Sequence, residues 1–194
     1  MRTTIESTAD APLEVQPDLV ARLRRAEPAA VAEVYDDHQA ALRAFARKLT
    51  GDPAVAEDLV HEVFVALPSA VKRFREDAAL RTFLISIAVN RARKHVRAAA
   101  RRRNAMERFA REPEAQGSGN PEGDALRRQL ADAISRALDK LPLDQRVAFV
   151  LCEVEQRTSR EAARVVDAPE ETVRTRLHHA RKKLRALLEK EGIR

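Results

Sequence analysis

The sequence contains few cysteines, aromatic residues and glycines. Its 194 residues include one cysteine, no tryptophan and five glycines, and aromatic residues make up only 4%. The single Cys152 excludes an intramolecular disulfide and a zinc site built from several cysteines. No stretch approaches the roughly 20 apolar residues of a membrane-spanning helix, and the first ten residues lack the apolar core of a signal peptide. We therefore predict a cytoplasmic protein without membrane insertion.

Charged residues and helix-forming residues dominate what remains. Charged side chains make up 34% of the chain, and long stretches are rich in Ala, Leu, Arg and Glu. This mixture is typical of amphipathic helices, so the predicted fold class is all-α. The net charge is +6 and the sequence pI is about 10.0. An excess of positive charge favours a polyanionic partner such as nucleic acid.

Glycine and proline divide the chain into two small helical domains. Residues 112–124 hold three of the five glycines, which is the composition of a flexible linker. The first domain is predicted at 17–111 and the second at 125–190. Residues 1–16 lack helical periodicity and are predicted to form a disordered tail.

The first domain shows helical spacing, and glycine and proline mark the ends of its helices. Gly51 is expected to cap one helix, and Pro68 is expected to kink or break the next one. The latter helix carries an i, i+4 row of expected core residues: Val55, Leu59, Val63 and Leu67. A further helix is predicted to leave the core near Val89 and continue as a basic rod to Arg103.

Charge is segregated within this domain. Residues 91–111 hold nine Lys or Arg against one acid, whereas residues 51–71 hold four acids and no Lys or Arg. A basic helix of this kind favours nucleic acid over a membrane surface, because large apolar residues do not accompany the charges beyond Val96. The acidic segment indicates a second surface with a different partner.

The second domain is predicted to end in a helix-turn-helix. Thr158 and Glu161 have the spacing of a capping box, and Asp167-Ala-Pro169 separates this short helix from a longer one. The longer helix has an apolar stripe through Val173 and Leu177. Residues 174–185 add six Lys or Arg, two His and no acid. Such a basic face suits the major groove of DNA, although a solvated helix face is the alternative interpretation.

Two blocks of sequence, one in each predicted domain and each made of two stretches, resemble the extracytoplasmic-function sigma factors of the sigma-70 family. In the first domain they are AEDLVHEVFVAL (56–67) and LRTFLISIAVNRARKHVR (80–97), with Arg73-Phe74 between them. In the second they are LPLDQRVAFVLCEVE (141–155) and ETVRTRLHHARKKLRALL (171–188). Both blocks occur in the family's order, across a linker, which is more specific than a helix-turn-helix alone.

The resemblance implies a function and a set of binding residues. It implies a factor that joins core RNA polymerase and directs promoter recognition and opening for a stress-responsive regulon, with control by an anti-sigma factor. The polymerase contacts would be Asp58, His61 and Glu62. The residues at the melted minus-ten strand would be Phe74, Asn90, Arg91, Arg93, Lys94 and Arg97. The residues at the duplex minus-thirty-five element would be Arg174, Thr175, His178, His179 and Arg181.

Two other functions are weighed against this one. A stand-alone helix-turn-helix regulator would bind duplex as a dimer, but it leaves the basic segment beside Asn90 unexplained. An enzyme is disfavoured because the sequence has no Gly-rich phosphate loop, nucleophile elbow or metal-ligand spacing. We therefore predict no catalytic residue, no metal and no cofactor. Spacing alone would leave Asn90 as an ordinary surface amide.

Overall fold

The chain is described here by a computed structural model that covers residues 17–75, 79–106 and 125–193. Within these ranges it is all-helical, without a strand, which confirms the predicted fold class. The predicted tail (1–16) and linker (112–124) lie outside the described residues. The α-helices are α1 (Pro17–Arg24), α2 (Pro28–Thr50), α3 (Pro53–Ala70), α4 (Leu80–Met106), α5 (Ala125–Asp139), α6 (Leu143–Phe149), α7 (Ser159–Val166) and α8 (Glu170–Lys190). We call residues 17–106 the N-terminal half and residues 125–193 the C-terminal half.

The turn between α2 and α3 is built as its sequence predicts. Gly51 ends α2 in a left-handed conformation, with φ of 71°, and its amide donates to the Arg47 carbonyl. Asp52 then caps α3, because its carboxylate accepts hydrogen bonds from the amides of Ala54 and Val55 at 2.7 and 3.3 Å. Two helices are thereby joined by a two-residue connection and pack side by side.

Helix α3 departs from expectation at both ends. The helix continues through Pro68 to Ala70, and the break follows as a 3₁₀ turn, Val71–Arg73. Leu67 and Val71 are fully buried on either side of the proline, so packing offsets the lost backbone hydrogen bond. Val55 is not a core residue as expected: it is 38% exposed, because the first turn of α3 opens onto a cleft of about 390 Å³.

Helix α4 begins in the core and continues as the basic segment. Its first turns bury Leu84, Ile85 and Val89 against α2 and α3. The periodicity therefore places the uncharged part of the helix inside, as predicted, and leaves Lys94 and Arg97 at the surface of the N-terminal half.

The C-terminal half holds the predicted helix-turn-helix. Thr158 and Glu161 form the capping box: each side chain accepts the other residue's amide, at 3.2 and 2.7 Å. Pro169 caps α8 instead of occupying its first turn. Helix α6 passes into one turn of π-helix, Val150–Val154, which the sequence did not predict. A small separate cluster, centred on Leu138 and Leu184, joins α5 to α8.

The two halves share one hydrophobic core. Buried residues of the N-terminal half, such as Leu49 and Ile85, belong to the same cluster as Val147, Leu151 and Val166 of the C-terminal half. Helix α4 packs on α6 and α7, and α2 packs on α6 and the π turn. The halves therefore contact each other directly, an arrangement that the prediction of two separate domains did not contain.

Candidate polymerase and nucleic-acid interfaces

The acidic surface lies on the outer side of α3. Asp58 and His61 are exposed, which fits residues of a docking surface. Glu62 is half-buried and turns toward α4, where it contacts His95 Nε2 at 2.8 Å and Arg91 at 4.0 Å. The acidic surface and the basic helix are thus joined at their edge by one carboxylate.

Phe74 is placed in the core. It is 5% exposed, and its ring packs on Phe83 with centroids 4.9 Å apart. Its backbone carbonyl accepts a hydrogen bond from Arg24 at 3.3 Å, which ties the end of the 3₁₀ turn to α1. In this conformation Phe74 supports Phe83 and presents almost no surface to a ligand.

The remaining minus-ten candidates follow α4 in two groups. Asn90, Lys94 and Arg97 are exposed, so Asn90 stands where core gives way to the basic surface. Arg93 turns inward instead, and its side chain is only 16% exposed. Its guanidinium donates to Asp144 at 2.9 Å and to the Val166 carbonyl at 3.0 Å, both in the C-terminal half.

The minus-thirty-five candidates share the exposed face of α8. Every one of them is exposed, while Val173 and Leu177 on the opposite face are buried. Arg174 pairs with Glu170 at 2.6 Å, and Arg181 pairs with Glu153. Acids outside residues 174–185 therefore neutralise part of the basic face: Glu170 comes from the first turn of α8, and Glu153 comes from the preceding π turn.

Three polar residues outside the predicted sites join the two halves. Arg146 donates to the Leu49 carbonyl at 2.9 Å and to Asp139 at 2.7 Å. Burial lowers the pKa of the Arg146 guanidinium below its usual value, and Asp139 offsets part of that effect. Arg157 donates to Thr82 at 3.0 Å.

Glu155 is the third of these residues. It pairs with Lys48 at 3.2 Å and Arg81 at 2.8 Å, and its side chain is only 11% exposed. Sequence reasoning missed Glu155, Arg146 and Arg157, because the partner of each in the N-terminal half lies more than 70 residues away along the chain.

Two family models match the chain in the order seen in the fold. Sigma-70 region 2 matches residues 34–102, which span α2 to most of α4. Sigma-70 region 4 matches residues 131–184, which contain the helix-turn-helix. Together these matches define the class as transcription initiation factors of the sigma-70 type.

Individual relatives narrow the class. The ECF RNA polymerase sigma-E factor of Escherichia coli (strain K12) is 36% identical over 131 residues, which cover 64% of this chain and 69% of the relative. The RNA polymerase sigma-H factor of Pseudomonas aeruginosa is 29% identical over 175 residues, covering 87% and 91%. The chain therefore belongs to the extracytoplasmic-function sigma factors of the sigma-70 family.

Solved structures give the same result. The sigma factor RpoE of Bartonella quintana, in complex with the anti-sigma factor NepR, matches with a TM-score of 0.62 and 26% identity over 80% of this chain and 98% of that one. CnrH, in complex with the cytosolic domain of CnrY, matches with a TM-score of 0.59 and 27% identity over 89% and 96%. Among the described residues, no helix is long and apolar enough to cross a membrane.

Proposed function

We propose that this chain joins core RNA polymerase and directs it to the promoters of a stress-responsive regulon, where it reads two elements and assists strand opening. The observation that carries the proposal is the presence of two basic helices, α4 and α8, one in each matched region. A duplex-binding regulator needs only the second. A polymerase subunit that opens DNA needs both, since melted strand and duplex are different ligands.

The polymerase contact is assigned to the acidic side of α3. Asp58 and His61 are exposed and belong to no ion pair among the described residues, so a basic or polar surface could bind them without breaking an internal bond. Glu62 differs, because binding through its carboxylate competes with His95 and Arg91. We expect Asp58 and His61 to contribute most of the contact and Glu62 to link it to α4.

The melted minus-ten strand is assigned to α4 and its surroundings. Asn90 is exposed at the start of the basic segment, and Arg91, Arg93, Lys94 and Arg97 supply cations along one helix. Extruding a base from the duplex costs a few kcal/mol of stacking and pairing, which hydrogen bonds and phosphate contacts help to offset. Phe74 would take part only after leaving its packed position against Phe83.

The minus-thirty-five duplex is assigned to α8. Arg174, Thr175, His178, His179 and Arg181 lie on the side away from the core, which is the geometry of a recognition helix. The ion pairs of Arg174 and Arg181 involve arginines that are 60% exposed. Exposed pairs contribute only about 0–1 kcal/mol, so DNA phosphates or base edges could take these arginines at small cost.

An anti-sigma factor controls the chain, as the complex of the sigma factor RpoE with the anti-sigma factor NepR suggests. The chain acts in the bacterial cytoplasm, where polymerase and chromosome lie. It catalyses no reaction itself, because its relatives act through the polymerase.

The test is in vitro transcription with core RNA polymerase and sheared genomic DNA of the host. We expect new transcripts whose mapped start sites share two upstream sequence elements, and no transcripts without the chain. The control is the Arg174→Ala variant, which should start from fewer of the same sites while still co-purifying with core polymerase. Tight, specific binding of promoter duplex by a homodimer, with no effect on core polymerase, would instead establish the stand-alone regulator.

A further inference from the structure

One carboxylate contacts an arginine from each of the two proposed DNA-binding helices. Asp144 lies in the first turn of α6, where a negative charge is favoured by the helix dipole. Its Oδ1 accepts from Arg93 of α4 at 2.9 Å, and its Oδ2 accepts from Arg176 of α8 at 3.0 Å. The two arginine side chains are 16% and 27% exposed, against 60% for the paired arginines of α8, and the Asp144 side chain is 41% exposed. Burial of the arginines reduces the screening of these contacts by solvent.

Arginines also cap helices across the boundary between the halves. Arg93 donates to the carbonyl of Val166, the last residue of α7. In the opposite direction, Arg146 of α6 donates to the carbonyl of Leu49, in the last turn of α2. The last carbonyls of a helix have no partner within it, and a cation is favoured there. Each half therefore completes a helix of the other.

This packed arrangement is incompatible with contact to both promoter elements at once. Elements centred near positions minus ten and minus thirty-five are separated by about 85 Å of duplex at 3.4 Å per base pair. Helix α8, at about 1.5 Å per residue, is only about 30 Å long. The duplex is too stiff over such a length to fold back on itself. Arg93 and Arg176, which share one carboxylate, would have to separate.

We propose that Asp144 is an intramolecular latch that occupies Arg93 in place of a DNA phosphate and holds the two halves in a closed form. The inference rests on the proposed function, which assigns Arg93 to the melted strand. A carboxylate and a phosphate both accept charge-assisted hydrogen bonds from a guanidinium. Binding of DNA to Arg93 therefore has to displace Asp144, and displacement removes a contact that holds the halves together.

The test compares Asp144→Asn with the matched variant Glu170→Gln in the 194-residue chain without polymerase. Both variants remove one carboxylate of the C-terminal half, but Glu170 forms its ion pair with Arg174, within α8. Small-angle scattering should show a larger radius of gyration for Asp144→Asn than for wild type or Glu170→Gln. A fluorescent 20-nucleotide oligothymidine should bind Asp144→Asn about tenfold more tightly than Glu170→Gln. The reason is that Asp144→Asn removes the charge-assisted hydrogen bond between Arg93 and the carboxylate.

A second variant controls for local disruption of the C-terminal half, because Asp144→Asn also removes the ion pair between Asp144 and Arg176. Glu155→Gln breaks the contacts to Lys48 and Arg81 and leaves Arg93 paired. It should also increase the radius of gyration, with a smaller gain in oligothymidine binding. Circular dichroism should show native helix content for each variant. Equal dimensions and equal binding for Asp144→Asn and Glu170→Gln would overturn the latch.

The two proposals fail separately. If the chain does not support transcription by core polymerase, but Asp144→Asn still expands it and strengthens oligothymidine binding, the proposed function is wrong and the latch stands. If transcription occurs and Asp144→Asn has the dimensions and affinity of Glu170→Gln, the latch is wrong and the function stands.

Discussion

Helices α4 and α8 are both amphipathic and both contain a run rich in basic residues, yet they present their proposed DNA contacts differently. All five candidates on α8 are exposed, and the ion pairs seen there involve well-exposed arginines. On the minus-ten side, Phe74 is buried and Arg93 is enclosed by the other half, whereas Asn90 is exposed. Similar patterns of sequence thus give one surface that is already formed and one that is partly covered.

The difference shows that accessibility depends on the neighbours of a helix more than on its own residues. Helix α8 packs on α5, α6 and α7 through its apolar stripe, and its basic face is in solvent. Helix α4 lies between α2, α3, α6 and α7, so most of its first turns are buried. The proposed binding at α8 would therefore require only side-chain rearrangement, whereas DNA contact through Arg93 of α4 would require the halves to move apart.

The largest effect is expected from Phe74→Ala, which tests how firmly the minus-ten side is enclosed. Deleting a buried aromatic side chain should lower the free energy of unfolding by about 3 kcal/mol, because Phe83 loses its partner and a cavity remains. Urea denaturation measures the loss. The control is Val65→Ala on α3, whose side chain is 66% exposed, and it should change stability by less than about 0.5 kcal/mol. A small loss for Phe74→Ala would mean that this ring is already free to bind DNA.

Effects of intermediate size are expected from Asn90→Ala and Arg174→Ala, which should impair different steps of transcription initiation. Asn90→Ala should reduce permanganate reactivity of the open complex and weaken discrimination at the minus-ten element by roughly 1–3 kcal/mol. Arg174→Ala should weaken recognition of the upstream duplex by a similar amount while core polymerase binding is retained. Arg136→Ala, an exposed arginine of α5, is the control and should change neither step. Identical defects in both variants would contradict the separation of the two surfaces.

The smallest effect is expected from Thr158→Ala, which tests whether the formed surface on α8 depends on the preceding helix. Loss of this cap should lower the free energy of unfolding by about 1 kcal/mol. The amide and the hydroxyl of Thr158 both donate to the Glu161 carboxylate and lower the pKa of this carboxyl below its usual value. Thr158→Ala removes the hydroxyl. The stability that this carboxylate contributes is therefore present at neutral pH and lost as pH falls through the lowered pKa.

Urea denaturation at pH 7 and at successively lower pH checks this prediction. The difference between wild type and Thr158→Ala should shrink on acidification. The exposed Arg160→Ala, two positions further along, is the control, and it should show no loss of comparable size. A difference that grows toward low pH would contradict the assigned role of the Glu161 carboxylate.

Local features of the fold were predictable because their causes lie within one or two helical turns. The Gly51 cap, the Thr158–Glu161 capping box and the apolar stripe of α8 all depend on residues at most a few positions apart. Irregular backbone conformations within or next to helices were not predictable in the same way. The π turn at Val150–Val154 and the left-handed conformation of Gln156, with φ of 55°, carry no glycine or proline to mark them.

Contacts between the halves could not be predicted for a different reason. Arg93 and Asp144 are 51 residues apart, and Lys48 and Glu155 are 107 apart. A sequence pattern shows that each residue is charged, but not which distant residue it meets. The surface character of Asn90 and α8 followed from helical periodicity, whereas the enclosure of Arg93 depends on tertiary packing. The residue assignments to polymerase and promoter stay predictions.

A side chain in place of Gly51 would affect the packed and the separated arrangements of the two halves differently. Its left-handed conformation disfavours any side chain by about 1–2 kcal/mol, whether or not the halves are together. The place of a Cβ at this position is already occupied by the carboxylate of Asp139, which Arg146 holds. That second penalty exists only when the halves are packed. Alanine at position 51 would therefore shift the equilibrium between the packed and the separated halves toward the separated form, because it destabilises the packed form more.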